Sequence, residues 1–492
     1  MYRSNPTRSV DTSFMRRATG IVIAAALAFP VSAVHAQEAD STVTVMSRNI
    51  YLGADVAVAL ELIPDMPAAA QFMWDQVAAT DFDTRVEALA DELVQNQPDV
   101  VGIQEATTWM CRPSWLGSST VVFNFLQQLL DATEAAGVPY VIAEHDGVQA
   151  LSPGYSIPAL PGLTTVRDPE TFQPIFGADE VACGFTIGDA LIVRADLADS
   201  ITAAGTHTYE DKYAVVPVVF EVPRGYAWAD MQLPQGAVRF VTTHLESVWA
   251  PDTVPLGAVQ ARELAATTSE WSMPLVVLGD FNADPRDPRG TGQPNPGLQP
   301  DVTTGCAPQV SSPTAASADP SCNAYWTMVS AGFEDAGPDP LDPANATWGA
   351  SALLAGPDLE RLSESGGNAY GYTDRLDYIF TKNGVRVVDV ALVGQKWPDG
   401  EHMWACSDPQ QIDNARAAAE VLGVPLGEAF CLPTDHVGLI ATLDVPSGTS
   451  ASTGGGVERT TVIMILIGVL LTSGVVALWA VRRSRLVEQS SP

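Results

Sequence analysis

The sequence contains an apolar run that passes directly into a carboxylate and a carboxamide. In PLVVLGDFNADP, residues 274–285, a buried-strand pattern ends at Gly279, and Asp280 and Asn282 follow two residues apart. In an extended chain these two side chains point to the same side. Together they can hold a hard cation or a phosphate oxygen, although Asp and Asn are also ordinary turn residues.

Similar polar residues stand at the ends of other strand-like segments. They are Asn49, Gln104, Glu105, His244, Glu246, Asp377, Asp435 and His436. When strands share a sheet core, side chains at their ends can converge on one site, where carboxylates and imidazoles favour metal-assisted hydrolysis. Each residue alone also has an ordinary explanation, since a lone histidine at a strand end is more often a structural residue.

Strands and helices must position these residues. Residues 41–50 alternate apolar and polar side chains as a first strand does, and residues 100–106 have the pattern of a buried strand. Apolar residues at helical spacing predict helices over residues 83–96 and 257–271. Many strands with few helices between them favour packed sheets flanked by helices.

Shorter patterns predict the remaining elements. Further strand candidates are residues 189–197, 213–222, 237–247, 375–382, 385–393 and 436–445. Asn383-Gly384 is a strong turn signal, so we predict a hairpin between the fourth and fifth of these strands. Residues 151–180 and 285–323 are dense in turn-forming residues and predict long surface loops. A short helix is predicted within an insertion, over residues 412–422.

The N-terminal residues 1–36 have the layout of a secretory signal peptide. Two arginines precede an apolar run that is too short to span a bilayer, and Val34-His35-Ala36 fits a cleavage site. We therefore predict that the signal is removed and that residues 37–446 form the exported domain.

The C-terminal residues have the pattern of a membrane anchor. Residues 461–481 are apolar and uncharged over a length that can cross a bilayer, and a basic tail, residues 482–492, follows. We predict a single transmembrane helix after a Gly/Ser/Thr-rich linker, residues 447–460, with the domain at the cell surface or in the cell envelope. The glycines before the helix also resemble bacterial sorting tails that are cut there, which would release the domain.

The chain is strongly acidic, with a formal net charge of −33 at pH 7. Such a charge repels polyanions, which disfavours tight, non-specific binding to nucleic acid. Solubility or adaptation to salt is the simpler explanation of this charge, and we favour it.

The six cysteines predict disulfides, because they form an even number in a chain with export signals. Six cysteines allow about 15 pairings. We favour Cys306–Cys322 and Cys406–Cys431, since each bond would staple an irregular or inserted segment. A zinc site is the alternative, but no paired Cys-x-x-Cys spacing supports it.

Six segments in one order carry a family resemblance. They are SRNI, IQEA, TTHLES, VLGDFNADP, RLDYIF and TDHVGL. This set resembles the endonuclease/exonuclease/phosphatase superfamily, which has the DNase-I-like fold, from about residue 43 to residue 443. The resemblance implies a four-layered α/β sandwich, in which two packed mixed β-sheets are flanked by helices.

The resemblance also implies a metal site. Asn49 and Glu105 would hold a divalent cation, Glu105 most directly, and Asp435 would complete the carboxylates on the metal side. The implied cofactor is Mg²⁺, or Mn²⁺ or Ca²⁺ in its place.

The same resemblance implies roles in catalysis. Asp280 would orient or deprotonate the attacking water, and Asn282 would hold a phosphate oxygen. His436 would contact the phosphate with Asp377 hydrogen-bonded behind it, and His244 would lie close to the scissile phosphate.

Two departures from the family pattern leave residues unassigned. Many members carry an Asn-Gly-containing segment before the strand that corresponds to ALIVR, where this chain has Gly188-Asp189. The tyrosine found in some family sites has three candidate counterparts here, Tyr140, Tyr155 and Tyr213.

The resulting hypothesis is an exported, divalent-metal-dependent phosphoesterase that hydrolyses phosphodiester or phosphomonoester bonds with metal-activated water. The substrate would be nucleic acid, a phospholipid headgroup or a small phosphoester, so a sphingomyelinase-like enzyme and an extracellular nuclease are both alternatives. A non-catalytic envelope binding module on the same fold is the alternative from another class. We expect a monomer that contacts the membrane through its C-terminal helix, and apolar segments at 247–251 and 324–326 that pack internally rather than against lipid.

Overall fold

The computed structural model describes residues 42–216, 220–248, 254–286, 306, 318–349, 371–394, 404–423 and 431–446. The predicted signal peptide, linker, transmembrane helix and basic tail lie outside these residues, as does most of the predicted loop at 285–323. Among the helices in the described ranges, none combines the length and the apolar character needed to cross a membrane.

Strands outnumber helices along the described part of the chain. The strands are β1 (Thr42–Asn49), β2 (Val100–Arg112), β3 (Thr120–Asn124), β4 (Tyr140–Ile142), β5 (Glu144–His145), β6 (Val148–Gln149), β7 (Leu151–Ile157), β8 (Thr165–Arg167), β9 (Glu180–Arg194), β10 (Ile201–Thr208), β11 (Tyr213–Val216), β12 (Phe220–Val222), β13 (Gly225–Gln232), β14 (Ala237–His244), β15 (Leu275–Asp280), β16 (Glu334–Asp335), β17 (Asp377–Lys382), β18 (Arg386–Val393) and β19 (Gly438–Asp444). The helices are α1 (Val56–Glu61), α2 (Met66–Ala79), α3 (Phe82–Asn96), α4 (Phe125–Ala135), α5 (Pro169–Phe176), α6 (Leu256–Thr268), α7 (Ala324–Ser330) and α8 (Pro409–Leu422).

Two mixed β-sheets contain most of these strands. The nine-stranded sheet has the order β18-β19-β1-β2-β9-β4, with β3 beside β2 and with β7 and β8 beside β9. The six-stranded sheet has the order β10-β13-β14-β15-β17-β16. Two small pairs, β5-β6 and β11-β12, lie outside these sheets.

The two sheets pack face to face, and helices cover both outer faces. Strand β15 shows why, because its side chains alternate: Val276 and Leu278 belong to the core between the sheets, whereas Leu275 and Val277 pack in a second core with α6 and α7. A third core joins α2, α3 and α4 to the outer face of the larger sheet. The predicted four-layered α/β sandwich is therefore confirmed.

The sheets approach each other closely at Gly102 of β2. A Cβ atom on this residue would lie 2.7 Å from Cβ of Leu278 and 2.9 Å from Oγ1 of Thr242. Only a residue without a side chain fits between the sheets here, two positions before Gln104 and close to the strand ends that carry the candidate site.

The predicted hairpin across Asn383-Gly384 is wrong. The turn forms, with both residues at positive φ, but β17 pairs with β15 and β16 in the smaller sheet, whereas β18 pairs with β19 in the larger sheet. Both edges of β17 are occupied, so the chain leaves the turn and crosses to the other sheet.

Other predictions need smaller corrections. The candidate strand at 213–222 is two short antiparallel strands, β11 and β12. The predicted loop at 151–180 contains β7, β8 and α5. Strand β2 extends six residues beyond the predicted 100–106, to Arg112. Tyr325 and Trp326 are buried in the core beside α6, as expected for segment 324–326.

Three disulfides join the described cysteines. Cys306–Cys322 and Cys406–Cys431 confirm the two favoured pairings. The third bond joins Cys111 of β2 to Cys183 of β9. These are neighbouring strands in which the two cysteines are register partners.

Candidate functional site

The predicted site residues lie where strands of both sheets end. β1 and β2 are parallel neighbours in one sheet, and β14 and β15 are parallel neighbours in the other. Asn49, His244 and Asp280 are the last residues of β1, β14 and β15. The antiparallel β17 begins at the same place, with Asp377 directly opposite Asp280.

The carboxamide of Asn49 lies at the centre of the site. Its Nδ2 is 3.1 Å from Oε1 of Glu105, 3.1 Å from Oδ2 of Asp280 and 3.3 Å from Nε2 of His436. The backbone N–H of Tyr51 donates to Oδ1 of Asn49 at 2.9 Å and fixes the amide orientation. Residues from four distant segments of the sequence therefore surround one point.

A β-bulge aims Glu105 at this point. The pairing of β2 with β9 shifts register between Ile103 and Ala106, and Glu105 has a φ of 61°. Bulges redirect side chains, and non-glycine residues at positive φ are strained unless the surroundings hold them. The backbone N–H of Leu52 donates to Oε2 of Glu105 at 2.6 Å, which holds the carboxylate in place.

His436 is surrounded by carboxylates. Its Nδ1 is 2.9 Å from Oδ2 of Asp377, which is fully buried. Its Nε2 lies 3.5 Å from Oδ2 of Asp280 and 4.0 Å from Oδ1 of Asp435. Burial lowers the pKa of His436, but the three carboxylates, led by Asp377, outweigh burial and raise this pKa to about 10. The geometry favours a protonated imidazole.

His244 has the opposite environment. Its Nε2 lies 2.9 Å from Nδ2 of Asn282 and 3.5 Å from Oδ2 of Asp280, while its buried Nδ1 has no hydrogen-bond partner. Burial lowers the pKa of His244 well below its usual value, and the positive charges of Arg224 and His436 lower it further. This imidazole is neutral at physiological pH.

Asp280 stands between the two histidines and is held by its own turn. The backbone N–H of Asn282, a residue with a φ of 47°, donates to Oδ1 of Asp280 at 2.9 Å. Burial raises the pKa of Asp280 to about 7, against the opposing effect of the His436 charge. The carboxylate can therefore take up a proton near neutral pH.

A family model described as the Endonuclease/Exonuclease/phosphatase family matches residues 190–436, about half of the chain. The chain belongs to the endonuclease/exonuclease/phosphatase family. Members of this family are hydrolases that act on phosphate esters. The matched residues contain His244, Asp280 and His436, whereas Asn49 and Glu105 lie before them.

Solved structures also match the chain at low sequence identity, and each match covers 82% of this chain. An endonuclease/exonuclease/phosphatase from Beutenbergia cavernae DSM 12333 is 13% identical over 72% of its own chain, with a TM-score of 0.39. A mannosyl-6-phosphatase from Bacteroides thetaiotaomicron VPI-5482 is 15% identical over 99% of its chain, with a TM-score of 0.39. A humanized D. rerio TDP2 is 13% identical over 100% of its chain, with a TM-score of 0.35. No curated protein matches the sequence.

The donor set of this family member fits a hard divalent cation. Glu105, His244 and Asp280 offer ligand atoms that all lie within 4.8 Å of one another. A second group, Asp280, Asp377 and His436, is equally close, but its protonated imidazole has no lone pair to offer a cation. Asp435 adds a carboxylate whose Oδ1 is buried without a hydrogen-bond partner. Oxygen-rich sets of this kind suit Mg²⁺, Mn²⁺ or Ca²⁺. Burial raises the pKa of Asp435 to about 6, a cost that a nearby cation would relieve.

No role was predicted from the sequence for Asp189 and Arg224, two charged residues whose surroundings include His244. Oδ1 of Asp189 lies 3.9 Å from Nδ1 of His244, and burial raises the pKa of Asp189 to about 7. Nε of Arg224 donates to Oε2 of Glu246 at 3.2 Å. The departure at Gly188-Asp189 was a visible signal for the first residue, but Arg224 lies in no motif.

Contacts behind His436 were also missed. Nε1 of Trp348 donates to Oδ2 of Asp435 at 3.1 Å. The backbone carbonyl of His436 accepts a hydrogen bond from Nη1 of Arg48, whose other nitrogens donate to both oxygens of Glu92 in α3. No local sequence pattern marks such contacts between distant residues.

The three candidate tyrosines differ in their surroundings. The hydroxyl of Tyr140 donates to the carbonyl of Pro98 at 2.8 Å, at the end of the sheet where β2 begins and away from the site. Burial raises the pKa of Tyr155 and Tyr213, and the negative charge of Glu246 adds to this rise in both. Tyr155 and Tyr213 therefore lie near the Arg224–Glu246 pair.

Proposed function

We propose that this chain is an exported, divalent-metal-dependent phosphoesterase that hydrolyses phosphodiester or phosphomonoester bonds by attack of an activated water. The observation that carries this proposal is the position of Glu105, Asp280 and His436 around the Asn49 amide, all within 3.3 Å of its Nδ2. A surface that only binds a partner has no need for a buried imidazole–carboxylate pair next to further crowded carboxylates.

Asn49, Glu105 and Asp435 would hold the cation, with Glu105 as its most direct ligand and Asn49 contributing Oδ1, which also accepts from the Tyr51 N–H. When bound, the cation supplies neutralising charge for the phosphate and lowers the pKa of water. The three residues come from different elements, so the site forms only in the folded chain.

Asp280 and His436 would have different roles, Asp280 at the attacking water and His436 at the phosphate or the leaving oxygen. The carboxylate of Asp280, with a pKa raised to about 7, is suited to orient the attacking water and accept its proton. The imidazolium of His436, held by Asp377 at 2.9 Å, would stabilise negative charge on the phosphate or protonate the leaving oxygen.

Asn282 and His244 would bind phosphate oxygen. Nδ2 of Asn282 is 2.9 Å from both Nε2 of His244 and the carbonyl of Leu245, so a bound oxygen would compete for an amide that is already positioned. A neutral His244 would contribute a hydrogen bond rather than a charge.

Export is supported by the three disulfides among the described cysteines, since such bonds persist in oxidising compartments. The signal peptide at 1–36 and the transmembrane helix at 461–481 remain part of this proposal. N-terminal sequencing of the mature chain and extraction of membranes with alkaline carbonate test them. A mature chain that still begins at Met1 would contradict cleavage.

Hydrolysis of bis-p-nitrophenyl phosphate by the full chain tests the activity. We expect turnover with added Mg²⁺, none after EDTA, and a loss of about 10²-fold or more in Asp280→Ala. Asp389→Ala is the matched control, because Asp389 is an exposed carboxylate on β18. Equal activity in Asp280→Ala and the control would remove the assignment, and no hydrolysis of any phosphoester would favour a non-catalytic module.

A further inference from the structure

The connection between β2 and β3 exposes large apolar side chains. Leu116 is 100% exposed and Trp115 is 61% exposed. Met110 and Val121 on the two strands are more than a third exposed and are register partners, so they lie side by side. We call residues 110–121 the β2–β3 tip. Clustered, exposed, large apolar side chains are uncommon on monomers and mark interaction surfaces.

The tip is held in shape by its own polar contacts. Cys111 is bonded to Cys183, which ties the end of β2 to β9. The guanidinium of Arg112 donates to the carbonyls of Ser114 and Gly117 at 3.0 Å, and also to that of Trp115. These hydrogen bonds hold residues 112–117 in a compact turn, and the side chains of Trp115 and Leu116 are exposed on it.

An aromatic cluster supports the base of the tip. Trp109 of β2 contacts Trp74 of α2 and Phe185 of β9, with ring centroids 5.4 Å and 4.7 Å apart. Phe123 of β3, the register partner of Trp109, also stacks on Trp74, with ring centroids 5.7 Å apart. The apolar tip therefore stands on a packed base, unlike a mobile loop.

The charge of the tip differs from that of the rest of the chain. Between Glu105 and Asp131 the sequence has no acidic residue, and Arg112 is its single charged residue, whereas the whole chain has 58 acidic residues. A phosphate-rich surface repels acidic protein surfaces, so this stretch can approach such a surface where the rest of the chain cannot.

The tip also projects past the candidate site. β2 runs from Val100 through Glu105 to Arg112, so the tip, which starts at Met110, begins about 17 Å beyond Glu105 at the usual rise of a strand. A flat surface that touches the tip would therefore face the end of the sandwich where the strand ends carry the site.

We propose that the β2–β3 tip inserts Trp115 and Leu116 into the interfacial layer of a lipid surface with zwitterionic headgroups. A convex tip offers no groove for a peptide, and a tryptophan beside a leucine suits the boundary between headgroups and acyl chains. The strongly acidic chain would be repelled by an anionic surface, which selects the zwitterionic one. This proposal does not depend on catalysis, because it concerns binding alone.

Quenching of tryptophan fluorescence by brominated phosphatidylcholine vesicles tests the insertion in the full chain. The lipid-quenched share of the emission is expected to fall in Trp115→Phe and not to fall in Trp271→Phe, which removes only unquenched emission. Trp271 is the matched control, because it precedes β15 at the end of the sandwich opposite the site. A difference between these two variants reports Trp115 whatever the C-terminal segment contributes.

Leu116→Asp provides a second variant that cannot disturb a core, since Leu116 is fully exposed. It is expected to abolish the quenching of Trp115, while Val388→Asp on the exposed face of β18 leaves it intact. Vesicles that contain phosphatidylserine should quench Trp115 less than pure phosphatidylcholine. Equal quenching in Trp115→Phe and the parent would overturn the proposal. A dimer in light scattering that Leu116→Asp dissociates would also overturn it, by assigning the tip to a second copy.

Discussion

The two site histidines, His436 and His244, are chemically identical and almost equally buried, yet one is positively charged and the other is neutral. Each Nε2 lies 3.5 Å from the same oxygen of Asp280. His436 has a carboxylate of Asp377 at 2.9 Å from its Nδ1, whereas Nδ1 of His244 has Asp189 at 3.9 Å and no hydrogen bond. The pKa of His436 is raised to about 10, and that of His244 is lowered well below the usual range.

This comparison shows that burial alone does not decide the charge of an imidazole. Burial lowers the pKa of both histidines. A hydrogen-bonded carboxylate reverses this effect at His436, whereas Arg224 reinforces it at His244. The pocket thus obtains a proton donor and a neutral hydrogen-bonding group from one residue type, which is how acid and base roles are separated in many enzymes.

The largest difference should appear when each imidazole is removed. We expect His436→Ala to lower kcat/KM for bis-p-nitrophenyl phosphate by about 10² to 10⁴-fold, because a charged proton donor is lost. His244→Ala should cost about tenfold, the contribution of a neutral hydrogen bond. Steady-state kinetics of both variants at saturating Mg²⁺ measures the ratio. An equal loss in the two variants would show that the difference in charge has no catalytic meaning.

Removing the charge behind each histidine should have a smaller effect. Asp377→Asn keeps the shape of the side chain but no longer favours the imidazolium of His436, so we expect a loss in kcat of about tenfold to a hundredfold. Asp189→Asn should change kcat by less, since Asp189 makes no hydrogen bond to His244. Asp230→Asn, which removes a carboxylate of β13 that is paired with Arg239 of β14, is the control. A larger loss in Asp189→Asn than in Asp377→Asn would reverse the comparison.

The sequence predicted the half of the site that contains His436 better than the half that contains His244. Asn49, Glu105, Asp280, Asp377 and His436 all stand at predicted strand ends, and the structure brings them together. Strand ends are visible in a sequence, because an apolar run stops at a polar residue. The roles of these residues in catalysis remain predictions.

The surroundings of His244 depend on contacts that no local pattern encodes. Arg224 precedes β13, a strand that the sequence did not predict, and its partner Glu246 lies beyond the end of β14. Asp189 was visible only as a departure from the family pattern. Which charges lie beside His244 is decided by the packing of separate strands, and this packing sets its pKa.

The fold shows the same limit. The continuous apolar run of β15 predicted a strand covered on both faces, and the helices over 83–96 and 257–271 formed within three residues of their predicted ends. The turn at Asn383-Gly384 was predicted as well, but a turn does not say which sheet its strands join. That choice depended on β16, a two-residue strand that occupies the second edge of β17 and has too little sequence to be recognised.

The smallest expected effect is a change in the pKa of His244 that leaves the fold intact. In the metal-free protein, nitrogen chemical shifts of ¹⁵N-labelled histidines should show His436 protonated at pH 7, losing its proton only as the pH rises towards about 10. His244 should stay neutral when the pH falls through the usual histidine range. Arg224→Gln removes a positive charge that disfavours the imidazolium of His244, so the pKa of His244 should rise, while that of His436, which is set by Asp377, should not move. Val388→Ala, on the exposed face of β18, should leave both pKa values unchanged. If Arg224→Gln left the pKa of His244 unchanged, burial and the charge of His436 would account for its neutral state without Arg224.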